Sequence, residues 1–78
     1  FLAPGVQHCA GGPGPDSVDL LTPLEQWVEA SQAPAQVIAN ALSPQGEVTR
    51  SLPLCAYPKV ARFNGSGAVD SAANWSCR

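Results

Sequence analysis

The sequence predicts a small α/β structure, built from a loop, one helix, a β-hairpin and a cysteine-bearing tail, that is not a complete domain. Three observations predict it. A helix-start signature at Thr22-Pro23-Leu24-Glu25 precedes two β-patterned stretches that flank a turn at Ser43-Pro44-Gln45-Gly46. The chain has 78 residues, and a chain that short buries only about 60% of the surface its unfolded form exposes, so its own core is marginal. It carries 3 cysteines; one pair can close internally, which leaves a cysteine whose partner lies elsewhere. The absence of Met and the start at Phe1 read the same way, as a processed chain or a piece of a longer one.

The elements follow in order. From Phe1 to Asp16 the chain is dense in Gly and Pro, which makes it loop, following the tail of a strand. Gly11, Gly12 and Gly14 are not a phosphate cradle, because no strand-glycine-helix pattern of the dinucleotide or P-loop type accompanies them. Thr22 is expected to cap the helix, Pro23 to take the first helical position and Glu25 to complete a capping box. The helix runs to about Ser31, before Ala33-Pro34 stops it. Leu24, Trp27 and Val28 share its buried face, with Glu25, Gln26 and Glu29 toward water. Gln36 to Leu42 and Glu47 to Leu52 form the hairpin. The remainder, Pro53 to Arg78, has no sustained periodicity, and Val69 to Trp75 is its only short helical candidate.

Composition narrows the function classes. A hydrophobic content of 45% argues against disorder. A net charge of -2, with 4 basic residues spread along the chain, leaves no electrostatic footprint for nucleic acid or an anionic membrane. No apolar run approaches the roughly 20 residues that cross a bilayer, and any export signal lies upstream of Phe1. Asn64-Gly65-Ser66 and Asn74-Trp75-Ser76 match the glycosylation sequon, which matters only in a eukaryotic secretory pathway.

The residues that carry chemistry are few. His8 is the only histidine, and it sits in the glycine-rich loop, free to face a cleft; taken in isolation it reads better as an ordinary surface residue. A metal site would need at least three ligands converging from His8, Cys9, Cys55 and Cys77, and adjacent residues seldom ligate one ion. A nucleophilic Cys9 activated by His8 is disfavoured because neighbouring side chains on a loop usually diverge and no third group is evident to orient them. The cysteines lack CxxC spacing and read as disulfide material, with all three internal pairings open. On these residues alone, a small secreted, disulfide-stabilised binding or structural module remains an alternative.

Several segments together carry a resemblance. They are Pro4-Gly5-Val6-Gln7-His8-Cys9-Ala10-Gly11-Gly12-Pro13-Gly14, Trp27-Val28-Glu29 with Ala33-Pro34, and Pro53-Leu54-Cys55-Ala56-Tyr57-Pro58-Lys59-Val60-Ala61, closed by Asn64-Gly65-Ser66-Gly67 and Ala72-Ala73-Asn74-Trp75-Ser76-Cys77. In this order they resemble the C-terminal end of the tannase and feruloyl esterase family, over nearly the whole chain. The resemblance implies that residues 1–78 are the C-terminal part of an α/β-hydrolase catalytic domain, with the nucleophile region and lid domain absent. It implies a Ser-Asp-His triad in which His8 is the base, which agrees with the α/β-hydrolase order that puts the histidine last. It further implies a disulfide from Cys9 to a cysteine beside the nucleophilic serine, outside this chain. Cys55 and Cys77 are then left for each other.

From the same resemblance come the remaining expectations: carboxylic ester hydrolysis on aromatic-acid esters, a small-molecule ester as substrate, and the rest of the parent esterase chain as partner. No cofactor is implied in this segment, calcium in the parent's lid, and a secreted or periplasmic location. Alone, the segment should be inactive. Asp16, Asp19 and Asp70 are not expected to be the triad acid, because family order puts that acid upstream of His8; loop or helix-cap chemistry suits them. Two positions depart from the pattern. Ser31 stands where relatives usually have Gly, putting the helix-ending turn in doubt, and Leu52 replaces a common Arg, leaving Arg50 as the one nearby base to supply a salt bridge.

Overall fold

In the computed structural model, which describes residues 1–78, the hairpin organises everything else. Strand β1 is Ser17–Val18, helix α1 Leu21–Ala30, β2 Gln36–Leu42, β3 Val48–Cys55, β4 Ala61–Phe63 and β5 Trp75–Cys77, with a 3₁₀ turn at Ala72–Asn74 before β5. All pairings are antiparallel: β1-β2-β3 form one sheet and β4-β5 a second. No helix is long and apolar enough to cross a membrane.

Alternation on β2 puts Val37 and Ala39 inward, where they meet Leu54 of β3 in a small core against which Val18 packs. Leu52 to Cys55 are buried without alternation, because β3 lies against β4 and β5 as well as pairing with β2. Pro53 is tolerated there because β3 is an edge strand. Its flanking outward amides and carbonyls are used by other partners: Ser51 N–H donates to Asp70 O at 2.8 Å and Leu2 N–H to Cys55 O at 3.1 Å. The missing N–H of Pro53 therefore costs no ladder bond. The turn is as expected, with Gly46 N–H donating to Ser43 O at 2.9 Å and a φ of 84° at Gly46 that favours glycine.

The tail is more ordered than its sequence suggests. β4 and β5 pair with Phe63 opposite Trp75, their ring centroids 5.4 Å apart, and the Val69 to Trp75 helical candidate shrinks to the 3₁₀ turn. These strands are three residues each, too short for period-2 alternation to stand out. The second hairpin strand also runs on to Cys55, past the Leu52 expected. A disulfide joins Cys55 to Cys77, with Cα atoms 5.6 Å apart and a sequence separation of 22, a closure worth roughly 3 kcal/mol in the chain-entropy model. Arg50 Nε lies 3.1 Å from Asp70 Oδ1, an ion pair whose N–H is misaligned for a hydrogen bond. Both groups are part-exposed, so the pair contributes at most about 1 kcal/mol.

Helix α1 corrects the expected cap and the expected buried face. The helix already begins at Leu21, so Pro23 is its third residue rather than its first. The N-cap position falls on Leu20, which has no side-chain acceptor, no Thr22–Glu25 capping box forms, and Asp19, one residue earlier, takes the amides instead. Asp19 Oδ1 accepts from Leu21 N–H at 3.0 Å and Thr22 N–H at 3.2 Å, while Thr22 Oγ1 donates to Asp19 Oδ2 at 2.6 Å. A carboxylate accepts two amides and a hydroxyl, which a threonine hydroxyl could not match. The expected buried face is open: Leu24 and Trp27 are 52% exposed and Val28 75%. The periodicity is real, but an open cleft of about 280 Å³ separates Leu24 and Trp27 from Phe1, Pro34 and Val37, and no strand covers the stripe. The helix nevertheless ends in the ordinary way. Ser31 takes the left-handed conformation at φ 55°, and the Ser31 and Gln32 amides both point to Gln26 O.

The cap has a pH signature. The Thr22 hydroxyl and then the Thr22 amide, joined by a lesser contribution from the Leu21 amide, hold the Asp19 carboxyl below its ordinary 3.8 against the opposing effect of desolvation. The unfolded chain therefore binds a proton at higher pH than the folded one, so this stabilisation is present above 3.8 and is lost as pH falls through the lowered folded value. Thermal melts across pH should show wild type exceeding Asp19→Asn above 3.8, with the gap closing on further acidification. A gap independent of pH would remove the charged cap as its cause.

Candidate active site

His8 is exposed near the tip of a loop that two clasps close. The inner clasp joins Gly5 to Gly14, with Gly14 N–H donating to Gly5 O at 2.7 Å. It can form only between glycines at these points. A Cβ on Gly14 would overlap Pro4 O and stand 2.8 Å from Gly5 C, and one on Gly12, which has φ 88°, would overlap Gly5 O. The outer clasp joins the ends of the segment that contains His8, through Gln7 N–H donating to Gly11 O at 2.9 Å. Gly11 N–H in turn donates to Asp16 Oδ2 at 2.8 Å. The glycine cluster is thus a close-approach device, and Asp16 is a loop tie, the acceptor role expected of it in loop chemistry.

The loop hangs from the hairpin at both ends. Leu2 bridges Cys55 of β3, and beyond the buried Pro15 the chain enters β1, which pairs with β2 at Asn40 and Ala39. A second cleft at its base is lined by Pro4, Gly14, Arg50, Leu52 and Trp75 among others. His8 is exposed and lines none of the three clefts of this chain.

His8 and Cys9 do not diverge as neighbours on a loop usually do. Cys9 Sγ lies 3.0 Å from His8 Nδ1. Cys9 has φ 69° and Ala10 N–H donates to His8 O at 2.9 Å, a three-residue turn that folds the two side chains together. Cys9 is free and exposed, whereas Cys55 and Cys77 are bonded to each other. No group of three or more His, Cys, Asp or Glu side chains is placed to hold a metal ion together.

The family model described as "Tannase and feruloyl esterase" matches residues 1–78. This chain belongs to the tannase and feruloyl esterase family. It is 49% identical over 79 residues to mono(2-hydroxyethyl) terephthalate hydrolase of Piscinibacter sakaiensis, covering 99% of this chain and 13% of that protein. To a probable feruloyl esterase of Arthroderma benhamiae it is 41% identical over 80 residues, with coverage of 99% and 15%. Among solved structures, feruloyl esterase B from Aspergillus oryzae superposes with a TM-score of 0.82 at 28% identity, over 95% of this chain and 17% of that one. An esterase from the same organism superposes with a TM-score of 0.85 at 23% identity, over 95% and 18%, which speaks for the fold alone. The chain therefore spans less than a fifth of each of these relatives, as a small α/β segment of esterase structure.

Within this tannase and feruloyl esterase segment, the inner clasp makes a steric prediction. Gly14→Ala must push Pro4 and Gly5 away and open the clasp, so it should lower stability by about 1–3 kcal/mol. Denaturant unfolding measures the change, and an unchanged midpoint would show that the clasp is not needed.

Proposed function

We propose that this chain is the C-terminal part of the catalytic domain of a secreted α/β-hydrolase, and that His8 is the triad base of a serine carboxylic ester hydrolase. One observation carries the reading. In a chain that belongs to an esterase family, the only imidazole stands exposed on a doubly clasped loop in which Gly12 and Gly14 admit no side chain. A general base must sit within about 3 Å of the proton it takes, and a clasped loop supplies that placement where a free one would not.

In the proposed reaction His8 takes the proton of the nucleophilic serine as it attacks the ester carbonyl, then gives a proton to the leaving alcohol. A carboxylate at the other ring nitrogen holds the tautomer and stabilises the imidazolium. Serine and carboxylate belong to the parent chain, upstream of His8, which is why residues 1–78 alone should be inactive. The Cys9 thiol now beside Nδ1 would instead be bonded to a cysteine next to the serine, which ties the base to the nucleophile. Esters of aromatic acids are the substrate class, in keeping with the names of the relatives.

The open stripe of Leu24, Trp27 and Val28 supports the reading that this segment packs against the rest of the parent chain, since a self-sufficient binding module would cover its one helix. With only 8 of 78 residues buried, the core falls short of what an independent domain carries. His8→Ala in the full-length enzyme should fold and lose turnover by about three or more orders of magnitude. Turnover within tenfold of the parent enzyme, about 1.4 kcal/mol in barrier, would overturn the assignment. Non-reducing peptide mapping should join Cys9 to a cysteine outside residues 1–78; a Cys9 link to Cys55 or Cys77 would refute the tether.

A further inference from the structure

We propose that Asp16 is a positioning residue for His8, acting through Gly11. The inference rests on His8 being the triad base. His8 rides in the segment between Gln7 and Gly11, whose ends are joined by Gln7 N–H donating to Gly11 O at 2.9 Å. Gly11 is the pivot of that segment, because its carbonyl holds Gln7 while its own N–H donates to Asp16 Oδ2 at 2.8 Å.

A pivot made of glycine needs an anchor. Gly11 and Gly12 follow each other at φ 89° and 88°, and residues without a Cβ wander most readily when nothing fixes them. Their freedom is what lets the loop close, and it would equally let the His8 segment swing. Asp16 is well placed to stop that. It directly follows Pro15, which is fully buried, and precedes β1, which is hydrogen-bonded to β2. An ionised carboxylate is about twice as strong an acceptor of an amide N–H as a neutral oxygen. The line of restraint thus runs from the paired strands through Asp16 to Gly11, from Gly11 to Gln7, and so to His8.

Asp16 touches no reacting atom in this role, so its loss misplaces the base without changing what the substrate binds to. A misplacement of about 1 Å costs on the order of 100-fold in rate. Such a loss falls on kcat rather than KM. The competing role for a carboxylate so near the base in sequence is that of the triad acid, which needs the negative charge; the tie to Gly11 needs only an acceptor oxygen. The neutral amide of asparagine separates the two.

The test uses the full-length esterase with a soluble 4-nitrophenyl ester, comparing Asp16→Ala and Asp16→Asn with the parent enzyme and with His8→Ala. Asp16→Ala is expected to lower kcat about 10- to 100-fold with KM within about twofold, and Asp16→Asn, which keeps an oxygen toward Gly11, to recover to within about fivefold of the parent. Asp16→Ala within about twofold of the parent kcat, or Asp16→Asn as damaging as Asp16→Ala, overturns the proposal. Should Asp16→Ala fail to fold, amide hydrogen exchange on the unsubstituted enzyme decides: a protected Gly11 N–H supports the tie, and exchange at the free-peptide rate overturns it. His8→Ala that keeps turnover overturns both the base and its positioning. An inactive His8→Ala beside a fully active Asp16→Ala overturns the positioning alone.

Discussion

The antiparallel pairing of β2 with β3 holds the molecule together, and Cys55 is where its separate parts meet. Cys55 stands opposite Gln36 in the ladder, accepts the Leu2 amide on its outer edge and bonds Cys77 through its sulfur. One residue thereby connects the hairpin, the start of the His8 loop and the small β4-β5 sheet. With a core of only a few side chains, hydrophobic burial alone would hold these parts loosely. A covalent closure and a continuous ladder of backbone hydrogen bonds do what a larger core would otherwise do.

The same economy explains the exposed surfaces. Val37 and Ala39 pack with Leu54 of β3 and with Val18, but the stripe on α1 that carries Leu24, Trp27 and Val28 faces open space. A helix held by its Asp19 cap at one end and its left-handed Ser31 turn at the other keeps its shape although its apolar face is uncovered within this chain. The chain spans less than a fifth of relatives several times its length, and that face and His8 are both exposed in it.

The loop shows what glycine permits at a close approach of two backbones. Gly5, Gly12 and Gly14 let two backbones meet at distances no side chain permits, and Gly11 turns the chain so that Gln7 can reach it. What such a loop gains in closeness it loses in stiffness, and Asp16 and the paired β1 return part of the stiffness. Leu52 of β3 lies in the packed interior, while Arg50, two residues earlier, meets Asp70 at the edge of the strand.

The sequence by itself determined the α1 helix and the β2-β3 hairpin with its turn, because those signals are local: a helical period with a proline at its head, and two β-rich runs around Ser-Pro-Gln-Gly. It also pointed to the family, through motifs in series. Only the tertiary structure decided the rest. Asp19 rather than Thr22 caps α1 because a carboxylate can satisfy several donors at once. The β4-β5 pair forms across more than ten residues of chain and shows no period in strands of three residues. Asp16 reaches Gly11, and Cys9 folds back on His8, only because particular φ angles above zero bend the loop. Periodicity reports which face of an element is apolar, but whether anything covers that face depends on chain distant in sequence, as the open side of α1 makes plain.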